Sequence, residues 1–195
     1  MLAGARLAAA ASIQVTVDDG RGTPLNDAVV WAMGSLKPPP GPRPGASIEQ
    51  KDKTFIPLVT AVQAGTAVSF PNHDTVRHHV YSFSEAKKFE IKLYVGTPVA
   101  PIVFDKPGIV VLGCNIHDSM IGYVQVVDTP WFGKTAVTGA VEMADLPAGE
   151  YEVLAWHYAQ ASAPAPQVVK VRGDEKAGVH FAIPLRALTP RPPPT

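Results

Sequence analysis

The chain has little cysteine and little charge, and it lacks any long apolar run. One cysteine among 195 residues excludes an internal disulfide, so cysteine pairing gives no information on the redox compartment. Charged residues make up 17% of the chain and the formal net charge is zero, so no basic face for nucleic acid is predicted. No segment approaches the roughly 20 apolar residues of a membrane-spanning helix, so we predict no integral membrane segment.

Sustained helical periodicity is also missing, whereas turn-forming residues are abundant. Twenty prolines and sixteen glycines indicate many turns and few long helices. Short runs such as residues 13–18, 109–114 and 122–128 either alternate between apolar and polar residues or are rich in β-branched residues, as is typical of strands. We therefore predict an all-β fold.

The N-terminal stub, residues 1–12, has the character of the end of a secretory signal. It contains an arginine, a short apolar run and an alanine-rich stretch, but the apolar run is shorter than the ~7–15 residues of a signal. Two interpretations stay open: a disordered alanine-rich tail, and a signal peptide shortened by a misassigned start. The second predicts a periplasmic or otherwise exported protein. Residues 187–195 form a proline-rich tail.

The lone cysteine begins the segment that carries the chemistry, Cys114-Asn-Ile-His117-Asp-Ser-Met120. A thiol, an imidazole and a thioether follow one another at three-residue spacing in a predicted loop between two strands, and His78 and His79 lie upstream. A thiolate and two imidazoles in a plane, with a weak thioether on the axis, form the ligand set of a blue-copper electron-transfer site. The soft sulfur ligands favour copper over calcium or magnesium, and structural zinc prefers four strong ligands. One copper ion is the predicted cofactor.

Only one of the two adjacent histidines can face the ion. Neighbouring side chains on a strand point to opposite faces of the sheet, so His78 and His79 cannot both enter one core. The alternation of residues around them does not choose between the two.

Other interpretations of the same residues need to be compared with the copper site. A single cysteine is often a small buried hydrophobic residue, and single histidines are often structural. A cysteine nucleophile activated by histidine is a competing chemistry, but we find no convincing orienting acid or oxyanion loop, although Asp118 is adjacent. We predict that the protein is not an enzyme.

The pattern resembles the cupredoxins, within them the plastocyanin-like, amicyanin-like and methylamine-utilization group. The family's C-x-x-H-x-x-M motif is complete at Cys114, His117 and Met120, and Val68–Val80 resembles its N-x5-H-x-V segment. The resemblance implies a Greek-key β-sandwich over residues 46–128 and selects His78 as the first ligand. It also places three polar side chains beside the ligands: Asn72, His79 and Asn115.

The resemblance further implies a role for the surface around the cysteine loop. In such proteins the loop histidine is the port for the electron, here His117, and Ile116 and Ile121 would form the apolar patch where redox partners dock transiently. The chain departs from the family at Arg77, at Asn115-Ile116 and at Leu112-Gly113. These departures concern packing around the ligands and leave the ligand set intact.

A second resemblance surrounds the first. Residues 13–33 and 135–151 resemble a carboxypeptidase-regulatory-like, transthyretin-like β-sandwich. We therefore predict a smaller, discontinuous sandwich from residues 13–36 and 129–186, with the cupredoxin domain inserted. A plain second β-region packed on the cupredoxin remains the alternative.

Two other functions stay open. The same ligands would suit a copper carrier or storage protein. The outer sandwich could instead be a binding module that uses aromatic contacts, or these aromatic residues could belong to the core: Trp31, Trp131, Trp156 and Tyr158.

Overall fold

The chain is built from β-strands throughout the part described by the computed structural model, residues 11–34, 43–98 and 100–186. These residues contain no helix, so none that could cross a membrane, and the predicted all-β fold is confirmed. The strands in chain order are β1 (Ala11–Asp18), β2 (Val29–Gly34), β3 (Ala46–Ser47), β4 (Glu49–Lys51), β5 (Thr54–Ile56), β6 (Val59–Gln63), β7 (Thr66–Ser69), β8 (His78–Ser82), β9 (Phe89–Tyr94), β10 (Ile102–Phe104), β11 (Gly108–Gly113), β12 (Ile121–Val127), β13 (Phe132–Lys134), β14 (Ala140–Leu146), β15 (Gly149–Trp156), β16 (Gln167–Val171) and β17 (Lys176–Ala182).

The central strands enclose one hydrophobic core. A five-stranded sheet has the order β6-β12-β11-β8-β9, a three-stranded sheet has the order β10-β7-β3, and β4 and β5 form a separate hairpin. In β11 the side chains of Val110 and Leu112 are fully buried, whereas Ile109 and Val111 face outward. Because alternate residues share a face, Cys114 continues the buried row of Val110 and Leu112 at the point where the strand ends.

A second core lies between sheets formed by the two ends of the described chain. One sheet has the order β14-β1-β17 and the other has the order β13-β2-β15-β16. Strand β1 pairs in parallel with β17, which joins residues far apart in sequence, and its alternate residues Ile13, Val15 and Val17 are buried. This second core draws its buried residues from positions 11–32 and 131–183, whereas the central core draws on 48–126. The domain boundaries and the carboxypeptidase-regulatory-like resemblance stay predictions.

A third cluster fills the contact between the two cores. Val29, Val59 and Trp156 are buried together, and Tyr123 stacks on Tyr158 with ring centroids 5.3 Å apart. The aromatic residues considered for a binding module are therefore used in packing. Trp131 and Trp156 are buried, whereas Trp31 and Tyr158 are partly buried against the third cluster.

Some predicted segments extend past the described residues. Residues 1–10 of the signal-like stub lie outside them, and Ala11 and Ser12 begin β1. The tail, 187–195, and positions 35–36 of the outer sandwich also lie outside.

Candidate metal centre

The loop between β11 and β12 carries three of the four predicted ligands. Gly113 pairs with Ile121 across the two antiparallel strands, so residues 114–120 form the connection between them. The backbone N–H of Met120 donates to the carbonyl of His117 over 2.9 Å, which folds the loop back on itself. Cys114 and Met120 are buried at the ends of the loop, and His117 is half-buried in its middle.

Strand β8 brings the fourth predicted ligand to this loop. It lies next to β11, with Tyr81 opposite Gly113, and it begins with His78. The His78 side chain is fully buried. Its ring meets the His117 ring in an edge-on arrangement, with centroids 5.1 Å apart. Residues 36 positions apart in sequence, Cys114 and His78, are thus neighbours in space.

The three strong donors form a compact triangle. The Cys114 Sγ atom lies 3.8 Å from Nδ1 of His78 and 3.9 Å from Nδ1 of His117. The donor atoms all lie within 4.8 Å of one another, and this is the sole such group found in the described residues. An ion about 2.3 Å from sulfur and about 2.0 Å from nitrogen, at trigonal angles, separates the two donors by roughly 3.7 Å. The observed separations therefore fit one shared ion.

The structure separates the two adjacent histidines as strand alternation requires. The Nδ1 atom of His78 faces the Cys114 sulfur, whereas Nε2 of His79 lies 3.0 Å from the Glu90 carboxylate. The His79 side chain and Asn115 line a cavity away from the triangle, together with Tyr81 and other residues. Of the pair, His78 is the histidine placed to bind with Cys114 and His117.

Met120 shares the buried surroundings of Cys114. Its side chain is 1% exposed and belongs to the same buried cluster as Cys114. The two residues also line one cavity, whose rim includes Tyr81 and Phe83. The role of Met120 as a weak axial donor stays a prediction from the sequence.

The outer nitrogen of His78 faces a carboxylate. Oδ2 of Asp74 lies 2.6 Å from His78 Nε2, on the side of the ring opposite the thiol. Burial acts to raise the pKa of Asp74, but hydrogen bonds from the Lys53 N–H and from His78, and one from the Asp52 N–H, together hold that pKa below its ordinary value. The carboxylate therefore stays ionised beside the imidazole.

Asn72 holds the segment that carries Asp74. Its amide donates to the carbonyls of Val76 and Tyr94, both over 2.9 Å, and its side-chain oxygen accepts the N–H of Asp74. In these contacts Asn72 supports the loop, and its predicted place beside the ligands stays a prediction.

His117 is the donor nearest the surface. Burial lowers its pKa below the ordinary value. A lowered pKa keeps the imidazole neutral and able to bind a metal. Next to it Ile116 is 49% exposed, and Ile121 is 37% exposed at the start of β12. Both apolar side chains are exposed to solvent.

No protein-family model matches the chain, and no curated protein matches its sequence. Among solved structures, it is similar to the Cu-containing nitrite reductase (NirK) from Thermus scotoductus SA-01, with 20% identity and a TM-score of 0.42 over 59% of this chain and 28% of that one. The matched region thus spans well under two thirds of the reductase.

Two smaller proteins are similar to the chain over nearly their whole length. A purple cupredoxin from Nitrosopumilus maritimus has 22% identity and a TM-score of 0.38, over 43% of this chain and 100% of that one. Amicyanin from Paracoccus versutus has 16% identity and a TM-score of 0.37, over 49% of this chain and 97% of that one. The cupredoxin resemblance predicted from the sequence is thus matched among solved structures. The candidate site is defined by this chain's own residues and distances.

Asp74 is the residue of the site that the sequence does not reveal. The sequence signal was limited to an acidic residue four positions before His78 in a turn-like segment. Its contacts come from the Asp52–Lys53 turn, more than twenty positions earlier, and no local pattern predicts such a contact.

Proposed function

We propose that this protein binds one copper ion and transfers single electrons between redox partners. The observation that carries the proposal is the triangle of Cys114 Sγ with the Nδ1 atoms of His78 and His117, at 3.8 and 3.9 Å. Two imidazoles and a thiolate with a nearby thioether suit copper better than zinc, calcium or magnesium.

Bound copper would supply a one-electron couple between Cu(II) and Cu(I). The protein's part is to keep the donors in place in both states. Cys114, His78 and Met120 are all at least 97% buried, so closely packed neighbours hold their positions. Such a rigid site changes little when an electron arrives or leaves, which favours fast transfer.

His117 is the proposed port for the electron. It is the half-buried member of the set, and Ile116 and Ile121 beside it expose apolar surface. A small apolar patch fits the low buried area of transient redox encounters. Because the formal net charge is zero, long-range electrostatic steering of partners is expected to be weak.

The same proposal extends to the rest of the chain. Residues 46–128 would form the copper-binding unit, and residues 13–36 with 129–186 would form a second sandwich that frames it through the aromatic cluster around Trp156 and Tyr123. The signal-like residues 1–12 support a place in the periplasm or another exported compartment.

Copper(II) titration of the purified protein tests the proposal. We expect an intense visible thiolate-to-copper charge-transfer band that saturates at one equivalent and is reversibly bleached by ascorbate. No band, or a band that does not return on reoxidation, would contradict electron transfer. Rapid loss of Cu(I) to a mild chelator would instead support the carrier function.

A further inference from the structure

The carboxylate of Asp74 is held by donors on three sides. Its Oδ1 accepts the backbone N–H of Asp52 over 2.7 Å, and its Oδ2 accepts the backbone N–H of Lys53 over 3.0 Å. The same Oδ2 lies 2.6 Å from Nε2 of His78. The side chain of Asp74 is 13% exposed, so these contacts replace most of its water.

The two backbone donors come from a turn that is costly to form. Asp52 and Lys53 connect β4 to β5, and their φ angles are 52° and 56°. Non-glycine residues seldom adopt this left-handed conformation, which persists where surrounding contacts hold it. Here both N–H groups donate hydrogen bonds to the Asp74 carboxylate, and these bonds stabilise the left-handed turn.

The contacts of Asp74 determine which nitrogen of His78 carries the proton. A carboxylate surrounded by N–H donors is an acceptor, so the short contact requires a proton on His78 Nε2. The Nδ1 atom then carries the lone pair, and this is the nitrogen that lies 3.8 Å from the Cys114 sulfur. The negative charge behind the ring also makes the imidazole a stronger donor.

We propose that Asp74, held by hydrogen bonds from the β4–β5 turn, is a positioning residue that fixes the orientation of the His78 ring for metal binding. Its negative charge also lowers the reduction potential of the site. The carboxylate stabilises the more highly charged Cu(II) state more than Cu(I). The inferred orientation of His78 can be tested without a bound metal, whereas the effect on the reduction potential rests on the proposed copper function.

The metal-free protein tests the first half. We expect ¹⁵N-resolved NMR of the whole chain to show His78 protonated on Nε2, with this proton exchanging slowly with solvent. In Asp74→Ala, exchange should be at least tenfold faster. A proton on Nδ1 in the unmutated protein, or unchanged exchange in the variant, would overturn the proposal. The position of the His78 proton is measured on the unmutated protein. The proposal can therefore be overturned even if Asp74→Ala does not fold.

The second half needs a variant that removes charge but keeps shape. In copper-loaded Asp74→Asn, we expect about 10- to 100-fold weaker Cu(II) binding and a smaller loss for Cu(I). A tenfold change in the ratio of the two affinities raises the potential by about 59 mV. An unchanged potential would overturn the proposed effect of the charge.

Asp18 provides the matched control. It also accepts a backbone N–H, and its Oδ2 lies 2.7 Å from Nε2 of His180. Asp18, however, lies in β1, in the sheet with the order β14-β1-β17. Asp18→Asn should leave both the His78 proton exchange and the potential unchanged. An equal shift in the control would show a general charge effect and overturn the proposal. Absence of any copper band would refute the proposed function while leaving the NMR result on Asp74 intact.

Discussion

The molecule contains a histidine–aspartate pair twice, once beside Cys114 in the central sheets and once between the neighbouring strands β1 and β17. Nε2 of His78 lies 2.6 Å from Asp74, and Nε2 of His180 lies 2.7 Å from Asp18. Both aspartates also accept backbone N–H groups from nearby turns. The two pairs therefore share the same kinds of polar contact, although Asp74 accepts two backbone N–H groups and Asp18 accepts one.

The pairs differ in burial and in what faces the other ring nitrogen. The His78 side chain is fully buried and its Nδ1 faces the Cys114 sulfur, whereas the His180 side chain is 57% exposed. An exposed pair is screened by water and contributes little, but a buried pair fixes a ring whose second nitrogen can act on something else. Burial beside a thiol, rather than the pair itself, distinguishes the candidate site.

The largest effect is expected from removing the thiol. Cys114→Ser changes one atom and removes the sole cysteine of the chain, so the visible charge-transfer band of copper-loaded protein should be lost completely. Circular dichroism of the metal-free variant should match that of the unmutated protein, as a control for folding. Survival of the band in the folded variant would show that the sulfur is not a ligand.

Removing each histidine in turn compares the two pairs directly. In His78→Ala, the band should be lost or strongly weakened, and the free energy of unfolding of the metal-free protein should fall by about 1–3 kcal/mol, because a buried hydrogen-bonded partner is lost. In His180→Ala, the band should stay, and stability should change by less than about 1 kcal/mol. Equal effects on the band in the two variants would contradict the distinction between the pairs.

A smaller effect is expected at the proposed axial ligand. Met120→Leu keeps the volume of the side chain and removes the sulfur, so copper should still bind while the reduction potential rises by on the order of 60 mV, a tenfold change in relative affinity. Met143, which is 2% exposed and lies in the second core, provides the control. Voltammetry should show no shift in Met143→Leu, and an equal shift in both variants would exclude an axial role for Met120.

The smallest effect is expected at His157, a buried histidine outside both histidine–aspartate pairs. Burial lowers its pKa below the ordinary 6.5, while the Asn26 backbone and the Asp27 charge oppose this shift. As pH falls through 6.5, the unfolded chain takes up a proton before the folded one does, so the free energy of unfolding should decrease. Above that range the group should have no effect.

Chemical denaturation between pH 8 and pH 5 measures this dependence. The nitrogen Nδ1 of His157 accepts the N–H of Ala159 over 3.2 Å, a bond that protonation breaks. His157→Gln should flatten the pH dependence relative to the unmutated protein. An unaltered slope in the variant would assign the acid sensitivity to other groups.

The features that could be predicted from the sequence are those with short-range causes. The strand character of β11 and the loop that follows it are visible in residues 109–120, because alternation and the Cys114–Met120 spacing are local. The choice between His78 and His79 depends on which face of β8 lies towards the Cys114 side chain, so it needed a family resemblance or a structure. Both select His78.

Long-range contacts account for what the sequence did not reveal. The position of Asp74 depends on hydrogen bonds from two backbone N–H groups in the Asp52–Lys53 turn. This turn contains no glycine, so its left-handed conformation could not be predicted from the sequence. The parallel pairing of β1 with β17 joins residues such as Val15 and Val179, and no local pattern encodes that neighbourhood.

The most direct test of the site is X-ray absorption at the copper edge of the loaded protein. The structure predicts one sulfur ligand at short distance and two imidazole nitrogens, from Cys114, His78 and His117. Loss of the sulfur signal in Cys114→Ser and its retention in His180→Ala would complete the assignment. A copper environment without sulfur, or with more than two imidazoles, would contradict a site made by these three residues.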